Sequence, residues 1–282
     1  MEIGVGLPTM AGELTANVLR DWARGAERHG FCTLAVLDRL VCDGAEPLMS
    51  LAAAAAVTER IRLATQVLIP AYRGNTALLA KQVMTLQQLS EGRLVLGVAA
   101  GIRPDDFEAS GMEFRGRGRQ LDRILEELNG IWDDGAVGPR PKHGRPQLLV
   151  GGRSEAALVR MARYGAGTVV VALPEQFAQR AVEARQTWTE QGREGRPRLV
   201  AQAYYALGPE GPEAARHHLG AYYAFAGPVA QLIAASALTT PEAVREAVAG
   251  YRQAGCDELV LIPCSTELRQ LDLLAAVVKE NA

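Results

Sequence analysis

Apolar residues are arranged along this chain in two alternating kinds of run. Short continuous blocks occur at Ile3–Pro8, Thr33–Leu37, Ile61–Ile69, Arg93–Ala99, Gln147–Val150, Thr168–Ala172, Arg198–Leu207 and Glu258–Ile262. They are apolar nearly throughout, not at every other position, which is the pattern of strands buried on both faces. Between them, apolar side chains recur at helical spacing. Leu14, Val18, Leu19, Trp22 and Ala26 share one face before Gly30, and Leu121, Ile124, Leu125, Leu128, Ile131 and Trp132 share another. Further helices are predicted over Pro47–Thr58, Leu78–Leu89, Glu155–Tyr164, Glu175–Gln191 and Leu268–Glu280. Glu210–Thr239 reads as helical without clear limits. Thr240-Pro241-Glu242 opens a helix that runs to about Gly255: a capping hydroxyl, a proline at the first position and an acid in the first turn.

Eight strands, each followed by helix, predict an α/β protein built as one (β/α)8 TIM barrel over residues 1–282. An open doubly wound sheet is the competing solution, but its first turn, Gly6-Leu7-Pro8-Thr9, lacks a GxGxxG sequence. The formal charge of −2 gives no electrostatic case for nucleic acid or an anionic membrane surface. No apolar run approaches the ~20 residues of a membrane span. The start, MEIGVGLPTM, lacks the basic and apolar segments of a secretory leader, so a cytoplasmic location is expected. Cys32, Cys42, Cys256 and Cys264 show no metal-like spacing and are expected to be reduced, with Cys264 at a strand end where it could line a pocket.

The active site of such a barrel lies at the C-terminal ends of its strands. The three lysines, Lys81, Lys142 and Lys279, all fall elsewhere, which disfavours Schiff-base chemistry. His29, His143, His217 and His218 also miss the strand ends, so no metal site is expected. Asp38 follows strand two, while Asp105, Asp106 and Glu108 lie in a charged loop expected to be solvated. A barrel this poor in catalytic groups of its own points to an organic cofactor. The stretch LLVGGRSEAAL, Leu148–Leu158, then admits two readings: a tight strand-to-helix turn capped by Ser154, or a cradle for an anion.

Several segments carry a more specific resemblance. They are Arg60–Val67 (RIRLATQV), Leu79–Gln82 with Thr85-Leu86, and Leu89–Gly101 (LSEGRLVLGVAAG). Arg117–Asp122 (RGRQLD), Leu149–Ser154 (LVGGRS) and Thr240-Pro241-Glu242 leading to Asp257–Val260 follow in order. Together they resemble the luciferase-like monooxygenase family, which includes bacterial luciferase relatives and deazaflavin-dependent oxidoreductases, over roughly residues 1–172 and 240–264.

The resemblance implies a barrel that binds FMN or the deazaflavin coenzyme F-420 with the ring over the strand ends. Gly151, Gly152, Arg153 and Ser154 would then grip the cofactor phosphate. Gln66-Val67 aligns where relatives often have a non-proline cis peptide beside the ring, and Gln66 could bond the ring edge; Gly101 would line the same place. Asp38-Arg39 matches a position where many deazaflavin-dependent relatives carry Asp-His, which makes both catalytic candidates. Arg39 cannot donate a proton near neutral pH, but could hold an anionic substrate or the cofactor tail; Asp38 could equally form a rim salt bridge. Ile102 stands where some sugar-phosphate-oxidising relatives carry an acid, and argues against that substrate class. Pro8, Tyr72, Ile102 and Tyr204, with Tyr205, are candidates for the substrate pocket.

The function implied is an enzyme that transfers a hydride between coenzyme F-420 and a small organic substrate. An FMN-dependent monooxygenase, supplied by a separate flavin or deazaflavin reductase, is the alternative. A non-catalytic flavin-binding protein on the same barrel is a third reading, prompted by the short, atypical segment at 208–239. A homodimer is implied by family analogy.

Overall fold

In the computed structural model, which describes residues 1–135, 137–140 and 142–279, eight parallel strands close into a barrel in chain order. They are β1 (Glu2–Gly6), β2 (Thr33–Val36), β3 (Arg62–Leu68), β4 (Leu94–Val98), β5 (Gln147–Gly151), β6 (Gly167–Val170), β7 (Arg198–Tyr205) and β8 (Glu258–Pro263). β8 pairs back onto β1 with Ile3 opposite Leu259 and Val5 opposite Leu261. The eight-strand barrel expected from the hydrophobic pattern is the fold of the chain, with boundaries shifted by a residue or two.

The continuous apolar runs are explained by two separate cores. Leu34, Leu63, Leu96 and Leu199 face outward and pack under the helices. Ala35, Ala64, Val95 and Val200 face inward and fill the barrel. Burying both faces removes the alternation that a half-exposed strand would show.

The connecting helices are α1 (Ala16–His29), α2 (Pro47–Ala55), α3 (Thr76–Leu89), α4 (Pro104–Ser110), α5 (Arg117–Asp134) and α6 (Glu155–Tyr164). After them come α7 (Pro174–Glu190), α8 (Gly211–Tyr222), α9 (Pro228–Ala235), α10 (Pro241–Gln253) and α11 (Arg269–Lys279). Their ends follow local chemistry. The Thr240 hydroxyl accepts from the Ala243 amide at 3.1 Å to start α10, and α1 stops at Gly30 in the left-handed region. The predicted end of the last helix, Glu280, lies outside the described residues. No helix among the described residues is long and apolar enough to cross a membrane.

Two departures matter for the site. The stretch read as a loop after β4 contains α4, begun by Pro104 with Asp105 and Asp106 in its first turn. Phe107 is its one buried apolar side chain, too little for a periodic signal. The indistinct region before α10 resolves into α8, a 3-10 turn at Ala224–Ala226, and α9; these two helices and the turn stand over one end of the barrel.

Opposite that end, Glu258 sits between Arg62 and Arg198, and Arg62 also bonds Glu2 at 2.6 Å. This network closes the N-terminal face, the one used for stability in such barrels. Nearby, the Glu27 carboxylate accepts the amides of Glu59, Arg60 and Ile61 at 2.8–3.1 Å and so ties the end of α1 to the entry of β3. Partial burial pushes the Glu27 carboxyl up, but these three amides outweigh it and hold the pKa below the usual carboxylate range. A depressed pKa gives stability that is complete above the unfolded value and is lost as pH falls through the folded one. Glu27→Gln is therefore expected to flatten the acid limb of a Tm-against-pH profile below about pH 5; an unchanged acid limb would show that the clamp carries no weight.

Candidate active site

At the C-terminal ends of the strands opens a cavity of about 670 Å³ with a predominantly apolar wall. Its floor begins with an irregularity in β3. Thr65 pairs with Leu96 and Leu68 with Val98, so β3 holds one extra residue relative to β4. Such a bulge re-aims side chains, and Gln66 and Val67, consecutive in sequence, both line the cavity. The Gln66–Val67 peptide bond is cis, at the position where the family resemblance places one. The Gln66 carboxamide is almost fully buried, and its Oε1 has no hydrogen-bond partner.

Around the rim, charges neutralise each other in two closed sets. The Asp38 carboxylate accepts the Ile69 amide at 2.8 Å and the Arg73 guanidinium at 3.1 Å to each oxygen. Burial pushes the Asp38 pKa up, against the pull of Arg73. Arg39 bonds Asp106 through Nε at 3.0 Å, with both side chains buried. The other Asp106 oxygen accepts the amides of Leu40 and Val41 at 3.1 and 2.7 Å. Arg103 pairs with Asp105 and lies 4.0 Å over the Phe225 ring. Both Arg39 and Arg103 donate to the Tyr222 carbonyl, at 3.4 and 3.3 Å, where α8 ends with unpaired carbonyls. The rim thus fastens the ends of β2 and β4 to α8.

The β5 turn closes another side. Gly152 has φ +135, and a Cβ there would come within 2.9 Å of Ala157 Cβ, so the turn requires glycine. Beneath it Arg180 donates to the carbonyls of Gly152 and Ser154 at 3.1 and 2.8 Å. Because C=O and N–H point oppositely across a trans peptide, this leaves the Arg153 and Glu155 amides facing away from Arg180. Arg153 lines the cavity, is exposed, and makes no ion pair among the described residues.

Of the residues singled out from sequence, Asp38, Arg39, Gln66, Val67, Tyr72, Gly101, Ile102, Gly151, Gly152, Arg153 and Tyr204 all line this one cavity. Pro8 and Ser154 do not: Pro8 is buried two residues past the end of β1, and the Ser154 hydroxyl accepts the Ala157 amide at 3.3 Å as the cap of α6. Tyr205 points into the outer core, and Cys264 belongs to the barrel interior. Asp106, expected to be solvated, is buried at the centre of the rim. All four cysteines are free. His218 is half-buried on α8, and burial, with the neighbouring His217, pushes it down to about 4, so it is neutral at pH 7.

Sequence reasoning passed over Arg103, Gln202, Tyr222 and Tyr223, and assigned Asp106 to solvent. Gln202 had a visible signal: it lies between Val200 and Tyr204 at inward positions of a strand buried on both faces, where a polar residue is out of place. The two tyrosines had none, since their place depends on where α8 stops.

Residues 1–254 match the luciferase-like monooxygenase family. An uncharacterised protein of Mycobacterium tuberculosis (strain H37Rv) is 31% identical over 171 residues, 55% of this chain and 60% of its own length. An F420-dependent glucose-6-phosphate dehydrogenase of Nocardia farcinica is 32% identical over 141 residues, 46% of this chain and 42% of its own. The chain thus spans no more than 60% of the length of these curated relatives. Among solved structures, an F420-dependent secondary alcohol dehydrogenase superposes with a TM-score of 0.82 at 18% identity, covering 99% of this chain and 98% of that one, a likeness of fold.

The rim offers a direct check. Asp106→Ala removes the 3.0 Å partner of the buried Arg39, leaving it only the longer 3.8 Å contact to Asp105, and strips two amides of their acceptor; it is expected to lower the unfolding free energy by about 3 kcal/mol in urea titration. A loss below about 1 kcal/mol, the range of an exposed pair, would contradict the arrangement.

Proposed function

The chain belongs to the luciferase-like monooxygenase family, and from that premise we propose that it is an oxidoreductase moving a hydride between coenzyme F-420 and a small organic substrate. One observation carries this reading: a single cavity runs from the Gly151–Arg153 turn to the Gln66–Val67 wall. The turn and the wall adjoin, Gly151 lying against the Val67 side chain, and suit the phosphate and the ring of a flavin-type cofactor.

At the turn, the outward amides, the start of α6 and the unpaired Arg153 favour a phosphate. On the wall, the buried and unpartnered Gln66 Oε1 needs a donor, which the N–H edge of an isoalloxazine or deazaisoalloxazine ring provides. Bound there, such a cofactor supplies two-electron hydride chemistry that the chain's own side chains do not. The protein's part is to hold, orient and exclude water. Asp38 acts through Arg73 and Ile69 to fix the wall beside the ring, and the Arg39–Asp106 pair fixes the loop after β2. Arg39 is buried and its charge is paired with Asp106, so Arg153, exposed and without an ion pair among the described residues, is the better placed residue for an anionic cofactor tail. F-420 is favoured over FMN by the Asp38-Arg39 sequence and by the F420-dependent curated relative.

Fluorescence titration of purified protein with coenzyme F-420 and with FMN tests the reading. F-420 is expected to bind saturably and more tightly than FMN. Arg153→Ala should weaken it by about 1–2 kcal/mol, the loss of one charge-assisted contact. Ser154→Ala should instead lower protein stability by about 1 kcal/mol, as loss of a helix cap does. A preference for FMN with oxygen consumption would favour the monooxygenase reading, cofactor binding without turnover on any substrate a binding protein, and no binding of either would remove the proposal.

A further inference from the structure

The wall that β7 and α8 contribute carries hydrogen-bonding groups to which the cofactor reading assigns no part. The Tyr204 and Tyr223 hydroxyls lie 2.7 Å apart. Gln202 Nε2 points at Tyr204 Oη from 3.5 Å, while Gln202 Oε1, in a side chain only 3% exposed, has no partner. Two hydroxyls joined by one mutual hydrogen bond retain one hydrogen to donate. Burial pushes both tyrosines up in pKa, the Tyr223 ring adding to the effect at Tyr204, so both remain protonated donors at neutral pH. The wall therefore offers one free donor and, one hydroxyl away, one orphaned acceptor.

The surroundings limit what can use them. None of the lining residues contributed between positions 169 and 251 is charged. The charges on the adjoining rim, Asp38, Arg39, Arg103 and Asp106, are spent on each other and on Arg73 and Asp105, and Arg39 and Arg103 also bond the Tyr222 carbonyl. At the mouth, Ile102 is 67% exposed and Leu232 71% exposed, and Val171, Leu173, Phe225 and Val229 continue an apolar surface into the cavity.

We propose that Tyr204, Tyr223 and Gln202 form a clamp for a single hydroxyl oxygen, and that the substrate is an uncharged, largely apolar alcohol. A hydroxyl matches the wall on both counts: its oxygen accepts the free tyrosine hydrogen and its own hydrogen goes to Gln202 Oε1. A carboxylate or phosphate presents only acceptors, would meet Gln202 Oε1 with like polarity, and finds no cation on this wall. The apolar rim takes the body of the molecule. The clamp rises from β7, and in a closed barrel of eight strands β7 stands across from β3. Oxygen held at Tyr204 and Tyr223 therefore faces the Gln66–Val67 wall, where the proposed function puts the cofactor ring. The inference rests on the oxidoreductase reading of this same cavity, which it narrows to a substrate class.

The test measures binding directly, using ligand-observed NMR with cyclohexanol and cyclohexanecarboxylate as probes, without cofactor and with saturating F-420. Cyclohexanol is expected to bind the wild-type protein saturably and the carboxylate at least tenfold more weakly. The variant Tyr204→Phe/Tyr223→Phe, which keeps both rings, should bind cyclohexanol about tenfold more weakly while its Tm and its F-420 affinity stay within error of wild type. Tyr204→Phe alone, which leaves Tyr223 a hydrogen to donate, should fall between the two. Equal cyclohexanol affinity in the double variant and wild type would overturn the clamp. Carboxylate binding as strong as alcohol binding, or no saturable cyclohexanol binding in either condition, would overturn it as well. Failure of F-420 to bind while the probe pattern holds would overturn the cofactor reading and leave the clamp standing.

Discussion

The site depends on a closed circuit of charge at the mouth of the barrel. Arg39, Arg103, Asp105 and Asp106 pair among themselves, and Asp38 pairs with Arg73. Buried charges of this kind are tolerated only when each is compensated, and here the compensation is also architectural. Asp106 takes the amides after β2, and two guanidiniums meet the open end of α8. Because the circuit neutralises itself, the cavity it encloses is predominantly apolar although Asp38, Arg39, Arg103 and Asp106 line it; Arg153 is the charged lining residue outside the circuit.

That constraint sorts the residues by what remains available. Asp38 and Arg39, the natural catalytic candidates, are each held by protein partners: Asp38 by Arg73 and Ile69, Arg39 by Asp106 and the Val41 and Tyr222 carbonyls. What stays free is small in number and separated in space: Arg153 and the β5 turn at one end, Gln66 Oε1 beside it on the floor, and the Tyr204–Tyr223–Gln202 group on the far wall. Under the proposed function these groups become an anion-seeking turn, a buried acceptor for a ring edge and a neutral oxygen clamp along one cavity. The proposed chemistry then follows from bringing two molecules together there, with the reactive centre on the cofactor and the orientation supplied by the protein.

The barrel was legible because burial on both strand faces writes a continuous apolar run eight times over, and helices write their own period between them. The floor of the site was legible through residues next to strand ends, such as Gln66, Gly101 and Gly152, whose position follows directly from the strand they end or interrupt. The rim was not. Arg39 and Asp106 are separated by 67 residues, and no local pattern announces a partner at that distance. The helix that carries Asp106 has a single buried apolar side chain and so no period. Ser154 fits both readings of its turn from sequence; in the structure its hydroxyl is used by Ala157, and Arg180, bonding the Gly152 and Ser154 carbonyls, turns the amides of Arg153 and Glu155 away from itself. Tyr222 and Tyr223 enter the site only because α8 stops where two arginines hold it.

The most direct measurement is a crystal structure of the protein grown with coenzyme F-420. The account requires the cofactor phosphate on the amides of the Gly152–Arg153 turn with Arg153 drawn toward it. It also requires the ring edge within hydrogen-bonding distance of Gln66 Oε1, and the Arg39–Asp106 pair unbroken. A cofactor bound elsewhere on the barrel, or one whose entry parts Arg39 from Asp106 to claim the guanidinium, would contradict it.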